Sequence, residues 1–279
     1  MIKVDDFYRL KEINNVTSLY SPSFSGIVSG ECKGNVWVDN LECPNIALVE
    51  STPVGGFAFL GAIRTEEQGE QLKQFLEKEL FPMLKSSGVD SFEFSAEQEE
   101  VTKFIINTFQ HKEIAHEQEF SYQASELVAA SRESLPQQYV MHQVDDKFWE
   151  SLSQNGDGNG DKFKNVHLLK NKIEESWYSS SDFINRSLAF CISYENYIVA
   201  VIVGTARFNN TLAIDIETDK AHQNKGLASA LTKEFINQCV ARGLSAQWDC
   251  VESNINSKRL VEKLEFKMIR QQTVYWFDI

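Results

Sequence analysis

The stretch Ile214 to Val240 restricts the fold more than any other part of the chain. Ile214, Ile216 and Thr218 alternate with Asp215, Glu217 and Asp219, the two-residue period of a strand with one apolar and one polar face. Gln223-Asn224-Lys225-Gly226-Leu227-Ala228 follows, and Leu227, Leu231, Phe235 and Cys239 then recur every four residues, the spacing of one helix face. The pattern predicts a strand that passes through a short polar turn into a helix beginning near Gly226. The first four amides of such a helix lack internal partners, and its aligned peptide dipoles place about half a positive charge there. The junction therefore suits a phosphate or pyrophosphate. Gly226 and Ala228 leave room for close approach, and Lys225 adds a cation. The Gly-Lys-Ser/Thr of a Walker-type loop and the three glycines of a dinucleotide fingerprint are both missing.

Gln223-x-x-Gly226-x-Ala228 resembles the Q/R-x-x-G-x-G/A motif of the GNAT acyltransferases, whose loop and helix start cradle the pyrophosphate of coenzyme A. Further on, Ser253 to Phe266 is similar to the family pattern N-x-x-A/S-x-x-L-Y-e-k-l-G-F, with matches at Asn254, Ser257, Leu260 and Phe266. The resemblance implies acetyl-coenzyme A as co-substrate and no metal. It implies cofactor contacts from Gln223, Asn224, Lys225, Gly226, Leu227 and Ala228, with Asn254 and Ser257 beside the pantetheine and pyrophosphate arm. Two positions depart from the pattern. Glu265 stands where glycine is usual, and Val261 stands where many members carry a tyrosine that protonates the leaving thiolate. The resemblance covers roughly Tyr139 to the C-terminus. The preceding half and the run Trp248-Asp249-Cys250 look similar to a GNAT branch that includes zwittermicin A resistance-like proteins.

Acetyl transfer requires a polarised thioester carbonyl, aligned substrates and a neutral amine. By position, the family's carbonyl-polarising amides fall at Ile216 to Thr218. A lysine-like amine has a pKa near 10.4, so its free base at pH 7 costs about 4–5 kcal/mol unless a base takes the proton. Asp215 and Glu217 share one face of the strand, and Asp249 lies on the next strand. These carboxylates are the candidate catalytic residues, as base or as anchor of a base water. The alternative is that they are solvated, or paired with Arg207 or Lys258. His222 adjoins the loop, where it either touches a phosphate or reads as an exposed turn histidine, and Cys250 reads as a small core residue rather than a nucleophile. Trp177, Tyr178 and Phe183 fit either an acceptor wall or the core.

The 279 residues carry a formal net charge of -13. This disfavours nucleic acid and anionic membranes and leans towards a small cationic amine acceptor. Five scattered cysteines without a C-x-x-C pair read as reduced thiols in a cytoplasmic protein. The start does not read as a signal peptide, and no apolar run reaches spanning length. A monomer or homodimer is expected.

The two halves echo each other. Gly88 and Gly243 each end a helix before a strand, and at the same separation Gln68 falls on Gln223 and Leu72 on Leu227. Gly226 then corresponds to Gln71 and Ala228 to Lys73, so close backbone approach is lost in the first copy. The expected fold is α/β, a mixed sheet in each of two tandem GNAT-like lobes. Residues 1-123 form a degenerate copy, 124-138 a linker, and 139-279 the complete acyl-coenzyme A-binding copy. The first lobe is expected to shape the acceptor pocket or stabilise the whole. In it, Thr65-Glu66-Glu67-Gln68 reads as a capping box that opens a helix to about Ser86. Leu72, Phe75, Leu76, Met83 and Leu84 form its apolar side. Asn155, Asp157, Asn159 and Gly160 begin like a calcium loop, but Val166 falls where a bidentate glutamate is needed, so a surface loop is expected.

Overall fold

The computed structural model describes residues 1–128, 135–153 and 163–279. The loop carrying Asn155, Asp157, Asn159 and Gly160, and residues 129–134 of the expected linker, lie outside the described residues. Contacts divide the chain into two compact units, Met1–Phe120 with Arg270–Ile279, and Ser121–Ile269. This differs from the sequence-based division in one main respect: the last ten residues pack in the first unit, not with residues 139-269. Among the described residues, no helix is long and apolar enough to cross a membrane.

The first unit contains strands β1 (Ile2–Lys3), β2 (Asn35–Val38), β3 (Ile46–Ser51), β4 (Gly56–Gly61) and β5 (Ser91–Ala96). They lie side by side in that order. All neighbours are antiparallel except β4 and β5. Its helices are α1 (Pro22–Val28), α2 (Glu66–Phe75), α3 (Phe81–Ser86) and α4 (Glu99–Thr108). α2 and α3 are joined by a π-helical turn over Leu76–Leu80. The turn-rich residues from Tyr20 to Gly26 give little local signal, yet α1 forms over Pro22–Val28 with all seven residues buried. Pro22 suits a helix start, and burial overrides the weak propensity of Ser and Gly.

The capping box forms as expected. Thr65 accepts from Gln68 N, and Gln68 Oε1 accepts from Thr65 N at 3.2 Å. Gln68 Nε2 also donates to Asp39 at 2.9 Å. The start of α2 is thus filled by the protein's own side chains, with Glu66 and Glu67 in its first turn. Leu72, Phe75, Leu76 and Leu84 are buried, whereas Met83 is exposed. They join a core rich in phenylalanine that includes Phe57, Phe59, Phe92, Phe94 and Phe109.

The second unit holds β7 (Tyr139–Gln143), β8 (Ala189–Tyr194), β9 (Tyr197–Phe208), β10 (Thr211–Thr218) and β11 (Ser245–Val251). The order runs β11-β10-β9-β8-β7, antiparallel except for β10 and β11. β6 (Ala115–Ala124) crosses from the first unit into this one and lies next to β11, where Gln123 Nε2 donates to Ser245 Oγ at 3.3 Å. The helices are α5 (Asp146–Ser153), α6 (His167–Ser176), α7 (Ser180–Arg186), α8 (Leu227–Ala241) and α9 (Ile255–Lys263). The stripe Leu227, Leu231, Phe235 and Cys239 is buried, as its spacing requires.

The final strand, β12 (Lys267–Asp278), starts in the second unit and ends in the first. There it pairs with β5, Tyr275 opposite Phe94 and Phe277 opposite Phe92. Phe277 enters the phenylalanine core. That burial, together with the Arg270–Glu97 ion pair at 2.6 Å, explains why the chain end belongs with residues far back in the sequence.

Candidate functional site

The site lies within the second unit and starts from a defect in its sheet. β10 and β11 are in register only from Thr211/Ser245 to Ala213/Gln247. β10 runs on to Thr218 and β11 to Val251 without further pairing between them. At the same level the β9–β10 register shifts between Ala213 and Ile214, a bulge that bends a strand away from its neighbour. Asp219 N donates to Val199 O at 2.8 Å, one step beyond the Thr218/Ala200 pair. In an antiparallel ladder the bonding direction alternates. The amides and carbonyls of Ile216 and Thr218 therefore face the gap, while those of Asp215 and Glu217 face β9. Thr218 O accepts from Gln223 Nε2 at 3.2 Å, in keeping with that direction. Thr218 Oγ1 is buried without a hydrogen-bond partner.

α8 begins at the end of this gap. Gly226, its N-cap, has φ 78°, and a Cβ there would meet nothing within 4 Å. Glycine is needed for its backbone angle, since L side chains disfavour this region. No side chain caps the start of α8, and its first turn has no acidic residue. The contrast with α2 is direct: one helix start is self-satisfied and the other is open to an anion. Asn224 also sits at positive φ, 60°, which asparagine tolerates better than most residues.

A cleft of about 380 Å³ occupies this corner. Ile216, Glu217 and Thr218 line one side, and Gln223, Asn224, Gly226, Leu227 and Ala228 line the helix start. Ser257 lines it from α9. The expected residues Lys225, Asn254, Asp215 and Asp249 are not among the lining side chains. Lys225 Nζ instead donates to Tyr139 Oη and Ala221 O, each at 3.1 Å. Asn254 caps α9, accepting from Ser257 N at 3.1 Å. Asp249 accepts from Gln247 Nε2 at 3.1 Å.

The sequence reading missed Asn256, Arg259 and Lys263, which line the cleft on the exposed side of α9. Their helical spacing with Leu260 was the available signal. It also missed Trp248 as a lining residue, and His222, set beside the loop, does line the cleft. Trp177 and Phe183 are fully buried, Trp177 Nε1 donating to Gly204 O at 2.9 Å, whereas Tyr178 is exposed. Cys250 is buried. Burial pushes the thiols of Cys191 and Cys239 up to about 12, so neither serves as a thiolate near neutral pH.

The carboxylate pair has an unexpected partner. Lys172 of α6 places Nζ 2.6 Å from Asp215 Oδ2 and 3.0 Å from Glu217 Oε2. The expected alternatives were Arg207 and Lys258, but Arg207 bonds to the carbonyls of Asn209 and Arg186. Burial pulls the Lys172 pKa down, yet Asp215 and Glu217 outweigh it and hold the group above its ordinary value. Lys172 is thus a fixed cation at neutral pH, and the formal charges of the three groups sum to one negative charge.

The model of the GNAT acetyltransferase family matches residues 16–275. A stretch of 103 residues is 31% identical to an uncharacterized N-acetyltransferase, YdfB, of Bacillus subtilis (strain 168). The match spans 37% of this chain and 40% of that protein's length. Among solved structures, a GCN5-related N-acetyltransferase-like protein from Streptococcus suis 89/1591 superposes with a TM-score of 0.60, at 16% identity over 88% of each chain. A tandem GNAT protein from the clavulanic acid biosynthesis pathway superposes at 0.54, at 9% identity over 91% of this chain and 86% of that one. These two likenesses are of fold, and the second matches the expected tandem architecture. With the family model spanning nearly its whole length, this chain belongs to the GNAT acetyltransferase family.

Proposed function

We propose that the Ser121–Ile269 unit binds acetyl-coenzyme A in this cleft and transfers the acetyl group directly to a primary amine of a small cationic acceptor, polyamine-like or an amino-sugar. The observation that carries the reading is the uncapped start of α8 at the end of the β10–β11 gap. The diphosphate fits the free amides there, where helix dipole and backbone donors act together. The pantetheine arm fits the gap, where the amides of Ile216 and Thr218 are free to donate to it and to the thioester oxygen. Oriented backbone donors in such a place favour the charge that develops on that oxygen. Asn224, Lys225 and Asn254 act by shaping the loop and helix ends, and Gln223, Leu227, Ala228 and Ser257 act from the cleft wall.

Glu217 is the carboxylate that lines the cleft. In this reading it accepts the acceptor's proton directly or through a water, and Asp215 and Lys172 hold it in place. Asp249 is an alternative anchor one strand away. The single formal negative charge of the Lys172 cluster, in a chain of net charge -13, favours a cationic acceptor. A protein or peptide amine is the alternative acceptor. Placement in the branch with zwittermicin A resistance-like proteins is part of the same reading and rests on the residues quoted for it.

A second reading, a non-catalytic acyl-coenzyme A sensor, is favoured by Val261. That side chain is fully buried and has no proton to give a thiolate. Thiol release from acetyl-coenzyme A across a panel of polyamines, aminoglycosides and peptides separates the readings. Turnover with a small polyamine or amino-sugar supports the first. Turnover only with peptides supports the protein acceptor, and coenzyme A binding with no turnover on any amine supports the sensor.

A further inference from the structure

Lys225 carries a cation beside the phosphate-binding loop, yet its side chain turns away from the cleft. Its Nζ donates to Tyr139 Oη at 3.1 Å and sits 5.8 Å from the centre of that ring. Tyr139 is 8% exposed, and its hydroxyl makes one further contact, His222 Nδ1 at 2.9 Å. One assignment of these bonds satisfies all three groups through the described contacts. An ammonium only donates, so Tyr139 Oη accepts from Lys225. The hydroxyl's own proton then has one acceptor among the described contacts, His222 Nδ1. A neutral imidazole that accepts at Nδ1 carries its proton on Nε2.

A second tyrosine packs on the ring as well. Tyr139 meets it edge-on at 5.8 Å and 84°, and Tyr194 lies 5.1 Å away at 53°. His222 also lines the cleft next to Gln223 and Asn224, at the uncapped end of α8. With Nδ1 tied to Tyr139, Nε2–H is the polar group the ring has left for the cleft.

We propose that His222 binds the diphosphate of coenzyme A by donating from Nε2, with Tyr139 and Lys225 as positioning residues that set its tautomer and ring orientation. This rests on the coenzyme A reading above and adds a neutral, oriented donor to the backbone amides. Lys225 serves the anion at second hand, through the tyrosine.

The test combines two measurements on the full chain. The first is ¹⁵N NMR of the imidazole nitrogens without ligand, which reports the tautomer independently of any binding. The second is calorimetric titration with coenzyme A of the wild type and of H222A, H222Q and Y139F. The His222 resonances are expected to show Nε2 protonated and Nδ1 unprotonated. H222A is expected to bind about tenfold more weakly, the worth of one hydrogen bond to a charged group. H222Q, whose amide nitrogen falls where Nε2 was, is expected within about threefold of wild type, and Y139F is expected about three- to fivefold weaker. An Nδ1-protonated ring, or wild-type affinity in H222A, overturns the inference and leaves the coenzyme A reading standing. Failure of the wild type to bind coenzyme A overturns both. Should Y139F not fold, the comparison of H222A with H222Q and the wild-type tautomer still decide the matter.

Discussion

The ammonium of Lys172 lies 2.6 Å from the carboxylate of Asp215, and the same nitrogen reaches Glu217 at 3.0 Å. Two carboxylates on one strand face repel each other. A lysine shared between them removes that conflict. It also limits what the pair is able to attract, because one acceptor-like cation is already in place.

Lys172→Met is expected to cost about 1–2 kcal/mol of stability. That is more than an exposed ion pair, because the ammonium is largely covered, and less than a fully buried one, because both carboxylates remain partly solvated. Urea unfolding at pH 7 measures it. A change below about 0.3 kcal/mol would mean the bridge does not hold the carboxylates together.

The same bridge makes a statement about alkaline pH. Lys172 has a folded-state pKa above its ordinary value of 10.5. Its contribution is therefore complete below that ordinary value and is lost as pH rises through the folded value. Wild type and Lys172→Met are expected to converge in stability at strongly alkaline pH, and to keep their full difference at pH 7 to 9. A stability difference that grows with pH above 10.5 would reverse the sign and refute the assignment.

The last strand supplies a third test. Phe277 is 1% exposed and packs on Phe81, Phe92 and Phe109. Phe277→Ala is expected to destabilise the first unit by about 3–5 kcal/mol. Amide hydrogen exchange on β3, β4 and β5 would show the loss there. Unchanged protection in those strands would contradict the placement of the chain end in that unit.

Glu265 occupies the position where the family pattern has glycine, and the backbone there has φ 58°. The turn after α9 thus keeps the left-handed conformation although the residue suited to it is gone. Glu265→Gly is expected to stabilise by about 0.5–1 kcal/mol, relief of strain being partly offset by a freer unfolded chain. Thermal denaturation checks this, and a clear drop in the melting temperature would count against it.

These particulars show what the sequence made legible. Helix starts are local: Thr65 and Gln68, or Gly226 and the residues before it, lie within one turn of the amides they serve. The buried stripe of α8 and the strand alternation of β10 follow from period alone. Side-chain direction at a turn is not local, and Lys225 turned towards Tyr139, a residue far back in the chain. Lys172 carries no mark in the polar face of α6 that it crosses to β10. The burial of α1 and the return of Arg270–Ile279 to the first unit are tertiary outcomes that no short window contains.

The proposed anion site at the start of α8 is tested most directly by a crystal structure of the chain with coenzyme A. The expected result is diphosphate density against the amides from Gly226 to Ser229, with the pantetheine arm between β10 and β11. Gly226→Asp, which sets a carboxylate at that spot, is expected to abolish the density, while Gln71→Ala on α2 leaves it intact. Coenzyme A bound elsewhere on the chain, or bound equally well by Gly226→Asp, would contradict the account.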